Sequence, residues 1–256
     1  MAKVIAVANQ KGGVGKTTTA VNLSACLAVK GKKVLVIDID PQGNTTSGLG
    51  VDKNTVKTSI YDVIINDLDV EESMAKTKIE KLFLSPSNIH LAGAEVELVS
   101  MLSRETRLKI ALEQVHDRFD FIIIDCPPSL GLLTVNALTA ANTILVPIQC
   151  EYYALEGLSQ LMNTVKIVQK HLNKALRVEG VVLTMFDART NLSIQVVEEV
   201  KKYFGNKVYR TIIPRNVRLS EAPSFGLPII LYDEKSKGAE CYMELAGEVI
   251  MSSEEI

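Results

Sequence analysis

The sequence predicts an α/β fold: a single-domain, mostly parallel, twisted sheet with helices on both faces. Short runs rich in Val and Ile are apolar at nearly every position, which is typical of strands buried on both faces of a sheet. Between these runs, apolar residues recur every three or four positions, which indicates helices that cover the sheet. The strand-like runs include residues 3–8, 33–37, 121–124, 143–148 and 178–184.

The stretches with helical spacing are predicted to turn their apolar residues toward the core. One stretch covers residues 158–172 and another covers residues 196–204. Residues 43–80 show no clear period, so we expect loops and short helices there. A further predicted core stripe consists of Leu98, Leu102, Leu108, Leu112 and Val115.

The charge balance limits how the chain can bind nucleic acid. Its 256 residues include 28 basic and 30 acidic side chains, for a formal net charge of -2. A general excess of positive charge is therefore excluded, and any DNA contact must be local or conditional. The length suffices for one continuous core, and we expect residues 1–256 to form one domain.

Neither the cysteines nor the apolar runs indicate a secreted or membrane protein. The cysteines are scattered without a C-x-x-C pair, which favours reduced, packed thiols over disulfides or a zinc site. No stretch approaches the roughly 20 apolar residues of a membrane-spanning helix, and the first residues do not resemble a signal peptide. We therefore expect a cytoplasmic protein with no membrane partner. The cysteines are Cys26, Cys126, Cys150 and Cys241.

A glycine-rich phosphate loop follows the first predicted strand and precedes a predicted helix. Gly12, Gly13 and Gly15 let the backbone turn tightly and bring N–H groups and the helix N-terminus close to an anion. Lys16 is predicted to reach the β- and γ-phosphates of ATP, and the Thr17 hydroxyl to coordinate Mg²⁺. The predicted nucleotide-binding residues of the loop are Lys11, Gly12, Gly13, Val14, Gly15, Lys16, Thr17 and Thr18.

Three acids follow two of the apolar strands, at the sheet edge where open α/β sheets bind ligands. Asp38 and Asp40 follow residues 33–37, and Asp125 follows residues 121–124. We predict that Asp40 positions the attacking water, that Asp38 belongs to the outer shell of the metal, and that Asp125 orients Mg²⁺ or its bound water. Lysines, Mg²⁺ and such a carboxylate suffice for slow hydrolysis, which predicts a switch-like ATPase.

The loop departs from the general pattern G-x-x-x-x-G-K-[ST], because Gln10 replaces the first glycine and Lys11 follows it. This departure resembles the deviant phosphate loop of the ParA and MinD class. In that class the early lysine crosses a dimer interface to the partner's nucleotide. The resemblance therefore implies a catalytic role for Lys11 beside Lys16 and Asp40, and a homodimer that depends on ATP.

Motifs along nearly the whole chain resemble the ParA/Soj family of chromosome-partitioning ATPases. The resemblance implies one ParA-type ATPase domain over residues 1–256 and an ATP-bound sandwich dimer that binds double-stranded DNA without sequence preference. It also implies nucleoid association and release from DNA when a ParB-type partner stimulates hydrolysis. The motifs are V-A-N-Q-K-G-G-V-G-K-T-T, V-I-D-I-D-P-Q-G-N-T-T-S-G-L-G, F-I-I-I-D-C-P-P-S-L-G and I-P-R-N-V-R-L-S-E-A-P-S-F-G-L-P-I.

The same resemblance implies roles for residues outside the loop. Pro214 and Asn216 fall where the family contacts adenine, and a backbone carbonyl with a side-chain amide can read the adenine edge. Arg189 and Arg218 match positions that family members use for DNA. Weaker candidates for DNA contact nearby in the sequence are Arg215, Lys201 and Lys202.

Four alternatives remain open from the sequence. A MinD-like membrane-associated positioning ATPase would need a basic amphipathic C-terminal helix, whereas residues 240–256 are acidic. An electron carrier resembling nitrogenase iron protein would need two cysteines at the dimer face, whereas Cys126 directly follows Asp125 and no second cysteine accompanies it. A bacterial tyrosine kinase of this loop class would carry a terminal tyrosine cluster, whereas the tail has Tyr242 alone. A scaffold that binds ATP without hydrolysing it is the fourth alternative.

Overall fold

An eight-stranded sheet forms the centre of the computed structural model, which describes residues 1–151 and 158–254. The strand order is β3-β4-β2-β5-β1-β6-β7-β8, and every neighbouring pair is parallel except β3 with β4. The strands are β1 (Lys3–Val7), β2 (Val34–Asp38), β3 (Ala75–Lys76), β4 (Leu82–Ser85), β5 (Phe121–Asp125), β6 (Thr143–Gln149), β7 (Arg177–Phe186) and β8 (Val208–Pro214).

Helices cover both faces of this sheet, as the sequence predicts. Short 3-10 turns at Val70–Ser73, Leu98–Ser100, Gly205–Lys207 and Ala222–Phe225 supplement them. The helices in the described part of the chain are α1 (Lys16–Val29), α2 (Asn44–Gly48), α3 (Ile60–Ile65), α4 (Leu91–Glu97), α5 (Arg107–Glu113), α6 (Leu132–Ala140), α7 (Leu158–His171), α8 (Asn191–Phe204), α9 (Val217–Glu221), α10 (Ile229–Tyr232) and α11 (Lys237–Glu254).

Alternate residues of the central strands enter two separate hydrophobic clusters. Val4 and Ala6 of β1 pack with the apolar residues of α3 to α8. Ile5 and Val7 of the same strand pack with α1 and α11 on the opposite face. Strand β1 is therefore buried on both faces, which is why its sequence is a continuous apolar run.

The strand register brings the ends of three strands, two of them aspartates, to one edge of the sheet. Val7, the last residue of β1, pairs with Asp125 of β5. Asp38, the last residue of β2, also pairs with Asp125. Because these strands are parallel, the loops that follow them all leave the sheet at this edge.

Three strands were not among the runs that the sequence singled out. Strand β3 has two residues and β4 has four. Strand β8 lies at the sheet edge, and buried and exposed residues mix along it, with Arg210 exposed. An edge strand with one accessible face lacks the continuous apolar run that identifies buried strands.

The predicted core stripe between residues 98 and 115 is wrong at Leu102. Leu98 is fully buried, whereas Leu102 is 90% exposed. The helical path ends because Met101 is extended and Ser103 adopts a positive φ of 54°, and α5 begins afresh at Arg107. Helical spacing alone does not reveal such a break, since apolar residues recur on both sides of it.

This difference predicts unequal effects of truncating the two leucines. Leu98→Ala should lower the free energy of unfolding by about 2–5 kcal/mol, because it leaves a cavity in the core. Leu102→Ala should change it by no more than about 0.5 kcal/mol. Urea denaturation followed by circular dichroism measures both, and equal losses would contradict the separation of the stripe into buried and exposed parts.

Candidate nucleotide and metal site

The glycine-rich loop between β1 and α1 is open on its outer side. Gly13 and Gly15 have φ values of 73° and 87°, a region that side chains disfavour, and Gly15 is the N-cap residue directly before α1. A Cβ atom added to Gly12 or Gly13 would meet no atom within 4 Å. The backbone N–H groups at the start of α1 therefore border an accessible space suited to an anion.

Side chains of the sheet fix this loop at both ends. The Asn9 amide donates to the Pro147 carbonyl (2.7 Å) and accepts from the Lys11 N–H (3.0 Å). The Thr184 hydroxyl donates to the Val14 carbonyl (2.8 Å). Sequence reasoning missed Asn9 and Thr184. Their only sequence signal is that each is polar at or just after the end of an apolar strand.

Lys16 folds back over the loop that it follows. Its side chain is 7% exposed, and Nζ donates to the Lys11 carbonyl at 3.0 Å. Burial lowers the pKa of Lys16, while the nearby charges of Asp125 and Asp40 raise it in partial compensation. A phosphate oxygen can replace the Lys11 carbonyl as acceptor and supply the full negative charge that this buried ammonium lacks.

Asp125 has one carboxylate oxygen that is fully engaged and one that is not. Oδ2 accepts hydrogen bonds from Thr17 Oγ1 (2.9 Å) and from Thr45 Oγ1 (2.7 Å). Oδ1 is buried and has no hydrogen-bond partner. A buried carboxylate oxygen without a donor is costly unless a ligand completes it.

The donor set around Asp125 fits Mg²⁺. Magnesium prefers oxygen ligands and is usually held by one or two carboxylates together with phosphate oxygens and water. The Thr17 hydroxyl and the unpaired Asp125 oxygen are such ligands. Among residues 1–151 and 158–254, no cluster of three or more His, Cys, Asp or Glu side chains could hold a metal by itself. Phosphate oxygens of a bound nucleotide, together with water, would supply the additional ligands that Mg²⁺ prefers.

Asp38 anchors the segment that follows β2. Its Oδ2 accepts from the Thr46 N–H (2.7 Å) and the Thr46 hydroxyl (2.6 Å), and its Oδ1 accepts from the Asp40 N–H (3.3 Å). Burial and the charge of Asp125 raise the pKa of Asp38. Because both oxygens are hydrogen-bonded to protein, the geometry favours contact between Asp38 and a metal through an intervening water over direct ligation. The sequence motif contained Thr45 and Thr46, but sequence reasoning assigned them no role.

Asp40 lies at the same edge with a less engaged carboxylate. It is 7% exposed, and its Oδ1 accepts from the Gln42 N–H at 2.9 Å. Burial raises the pKa of the neighbouring Asp125, and the charge of Asp40 adds to that shift while Lys16 opposes it. The structure thus brings together the predicted residues Lys16, Thr17, Asp38, Asp40 and Asp125.

A cavity of about 370 Å³ opens beside the loop, and Pro214 and Asn216 both line it with Gly15 and Thr18. The Asn216 Oδ1 atom accepts from the Arg218 N–H (2.8 Å) and caps α9, so its amide nitrogen is the group free to donate. Because Pro214 and Asn216 share this cavity with Gly15 and Thr18, the predicted base-contacting residues adjoin the phosphate loop. Another lining residue, Met185, has a positive φ of 52°, a strained backbone conformation for a residue with a side chain.

The remaining predicted residues lie around this centre. Lys11 is half-buried, and its ammonium forms no ion pair with any acid in the described ranges. Arg189 and Arg218 lie beyond the ends of β7 and β8, the strands at the other side of the cavity, and their side chains are 87% and 55% exposed. Each is ion-paired, Arg189 with Asp187 and Arg218 with Glu221.

The C-terminal helix α11 has its apolar face in the core. It packs against α1 and β8. In the portion of the chain that the structure covers, no helix is long and apolar enough to cross a bilayer. The last two residues of the acidic tail lie outside the described residues. The α11 residues that are buried in the core include Cys241, Tyr242, Leu245, Ala246 and Val249.

Comparison with known proteins identifies relatives over the whole chain. Residues 2–178 match a family model described as AAA domain. The chain is 66% identical to the sporulation initiation inhibitor protein Soj of Bacillus subtilis (strain 168), over 97% of this chain and 98% of that protein. It is 54% identical to the chromosome partitioning protein ParA of Myxococcus xanthus (strain DK1622), over 97% of this chain and 88% of that protein.

A solved structure with the same fold contains the expected ligands. The cobyrinic acid a,c-diamide synthase of Mycobacterium smegmatis, with bound ATP analog and magnesium, superimposes with a TM-score of 0.88. It is 39% identical, and the match covers 99% of this chain and 96% of that chain. Its identity to this chain is lower than that of the two relatives named above.

The geometry predicts that Lys16→Ala loses ATP affinity. Removing a charged donor to phosphate should weaken binding at least about tenfold, since such a bond contributes about 1.5–3 kcal/mol. Titration with a fluorescent ATP analogue measures the dissociation constant.

Lys81→Ala is the matched control, because Lys81 Nζ also donates to a backbone carbonyl, that of Gly31 at 3.0 Å, at the opposite edge of the sheet from the glycine loop. Unchanged affinity in Lys16→Ala would refute the assignment of this lysine to phosphate.

Proposed function

The chain belongs to the ParA/Soj family of chromosome-partitioning ATPases, and from this premise we propose that its ATP-bound form is a homodimer that holds DNA until hydrolysis releases it. ATP and Mg²⁺ are its nucleotide and its metal. The observation that carries the proposal is the convergence of Lys16, Thr17, Asp40 and Asp125 on the open glycine loop. Residues 1–256 act in this proposal as one ATPase domain.

Each residue of the centre has a distinct task in hydrolysis. Lys16 neutralises charge on the β- and γ-phosphates, and the loop N–H groups bind the phosphate oxygens. Thr17 and Asp125 hold Mg²⁺, which supplies charge neutralisation when bound. Asp38 keeps the segment from Asp40 to Thr46 in place, so that Asp40 can accept a hydrogen bond from the attacking water.

Asp40→Ala should therefore separate binding from hydrolysis. ATP affinity should stay within about threefold of wild type, because the proposal assigns Asp40 to the attacking water and not to phosphate, whereas turnover should fall by at least tenfold with the loss of water positioning. Phosphate release and ATP titration measure the two quantities. Hydrolysis at the wild-type rate would exclude Asp40 from this role.

Lys11 is proposed to make the dimer depend on ATP. Its ammonium has no acidic partner within the described residues, and it lies on the open loop beside Lys16. An ammonium group without an acidic partner is stabilised strongly by the negative charge of a triphosphate bound to a second protomer. ADP offers less charge, so the dimer is favoured by ATP alone.

Lys11→Ala is expected to bind ATP as a monomer. Affinity for ATP should change by less than about threefold, whereas the ATP-dependent dimer should be lost, since a charged contact across the interface is removed from each protomer. Size-exclusion chromatography with light scattering measures the mass, and an intact ATP dimer would contradict the proposal. Lys81→Ala serves again as the control, because Lys81 precedes β4 at the amino ends of the parallel strands, away from the glycine loop.

The DNA surface is proposed to include Arg189 and Arg218 at the ends of β7 and β8. Both guanidinium groups are exposed, and phosphate contacts through arginine carry no sequence information. Two protomers side by side double the number of phosphate contacts, and the electrostatic affinity rises steeply with that number. The near-neutral chain can thus bind DNA as a dimer and release it as a monomer.

Replacing both Arg189 and Arg218 with Glu should abolish DNA binding and leave the ATP dimer intact. The double variant reverses two charges in each protomer and four in the dimer, which removes the attraction between this surface and DNA phosphate and adds repulsion. Co-sedimentation with DNA and light scattering in ATP measure the two properties. A control with Arg118→Glu reverses an exposed cation that is paired with Glu71 and precedes β5, at the opposite edge of the sheet from Arg189 and Arg218. Continued DNA binding by the double variant would place the surface elsewhere.

A ParB-type partner is proposed to stimulate hydrolysis, and the protein would then be cytoplasmic and nucleoid-associated. The support is the similarity to relatives named for chromosome partitioning. The MinD-like alternative is less supported, because the apolar face of α11 is buried against α1 and β8 and is unavailable to a lipid surface. Binding to anionic vesicles in ATP, without binding to DNA, would reverse this preference.

A further inference from the structure

The arginines assigned to DNA are neutralised by neighbouring carboxylates. Arg189 donates from Nε to Asp187 Oδ1 (2.9 Å) and from Nη2 to Asp187 Oδ2 (2.7 Å). Arg218 pairs with Glu221 at 2.9 Å and lies 3.5 Å from Asp233. The strip that the sequence presents as basic is therefore balanced in charge at these residues.

The pair of Asp187 and Arg189 is built into the turn between β7 and α8. The same Asp187 carboxylate accepts from the Arg189 N–H at 3.0 Å. The Asp187 carbonyl accepts from the N–H and the hydroxyl of Thr190, at 3.1 Å and 3.0 Å. The backbone N–H, Nε and Nη2 of Arg189 therefore all donate to the Asp187 carboxylate. The two guanidinium bonds have the fork geometry that a DNA phosphate would use.

We propose that the Asp187 carboxylate competes with DNA phosphate for Arg189 and so lowers the DNA affinity of each protomer. The inference rests on the DNA surface proposed above. Arg189 can donate to a phosphate from both Nε and Nη2 only if its hydrogen bonds to Asp187 break. The bared carboxylate then takes up a cation and repels the DNA, which offsets the counterion release that favours binding. One protomer alone is held below the affinity needed to stay on DNA, and two together exceed it.

Asp187 exerts this effect at every physiological pH. The hydrogen bonds from Arg189 lower the pKa of the Asp187 carboxyl to about 2, and the charge of Arg215 contributes. Arg215 itself pairs with Glu151 at 3.0 Å and lines the nucleotide cavity. The counter-charge is therefore permanent, and the number of protomers on the DNA is what changes with the nucleotide.

Asp187→Asn tests the proposal because it removes the charge and keeps the turn. The Asn oxygen can still accept from the Arg189 N–H. We expect the ATP dimer to bind DNA about three- to tenfold more tightly at low salt, and the slope of affinity against salt to steepen by about one ion per protomer. Dimer mass and DNA-free ATP turnover should stay as in wild type.

Asp67→Asn is the matched control. It removes the same charge from another exposed aspartate, which pairs with Arg107 at 2.5 Å on the α3 and α5 side of the molecule. A variant that combines Asp187→Asn with Arg189→Ala completes a cycle. If Asp187 acts by occupying Arg189, the gain in affinity should be clearly smaller in the Arg189→Ala background, where only the repulsion between the Asp187 carboxylate and DNA is relieved.

The outcomes separate this inference from the DNA proposal. If wild type binds DNA but Asp187→Asn binds it no more tightly than Asp67→Asn does, the competition for Arg189 is refuted and the proposed DNA surface stands. The same holds if Asp187→Asn strengthens binding equally with and without Arg189. If wild type binds no DNA in any nucleotide state, the proposed DNA surface is refuted and the inference fails with it. The same follows if Arg189→Ala binds DNA as tightly as wild type.

Discussion

Two buried carboxylates are held side by side by the parallel register of β2 and β5, and the rest of the site depends on this placement. Asp38 pairs with Asp125 across the two strand ends, and both side chains are fully buried. Loss of hydration and mutual repulsion disfavour two negative charges there. Threonine donors and the Lys16 ammonium compensate at the carboxyl edge of the sheet, and the proposed Mg²⁺ would add its charge there.

The two carboxylates have different roles, because Asp38 holds the protein backbone and Asp125 has an oxygen available to a ligand. Asp38 uses both oxygens to hold the segment from Asp40 to Thr46, and so determines where Asp40 lies. Asp125 accepts two threonine hydroxyls on one oxygen and leaves the other unpaired. The centre is consequently complete only with ligands, and this incompleteness is what lets nucleotide binding be coupled to the loops around it.

The fold class, the phosphate loop and the acids of the site could all be predicted from the sequence, because each depends on local patterns. Continuous apolar runs reveal buried strands, and a glycine-rich string or an acid marks the strand end. The contacts that hold the site could not be predicted, since Asn9 with Pro147 and Thr45 with Asp125 are joined across 138 and 80 positions. The ion pair that covers Arg189 also depends on the turn after β7, which composition does not reveal.

The measurement that tests the account most directly is DNA binding in ADP and in ATP at low and moderate salt, with the mass of the protein determined in the same buffers. Wild type and Asp40→Ala should be compared, because the variant preserves the ATP state during the experiment. The account predicts that only the ATP dimer binds DNA and that added salt releases it. ATP-dependent dimers that are indifferent to DNA would contradict it.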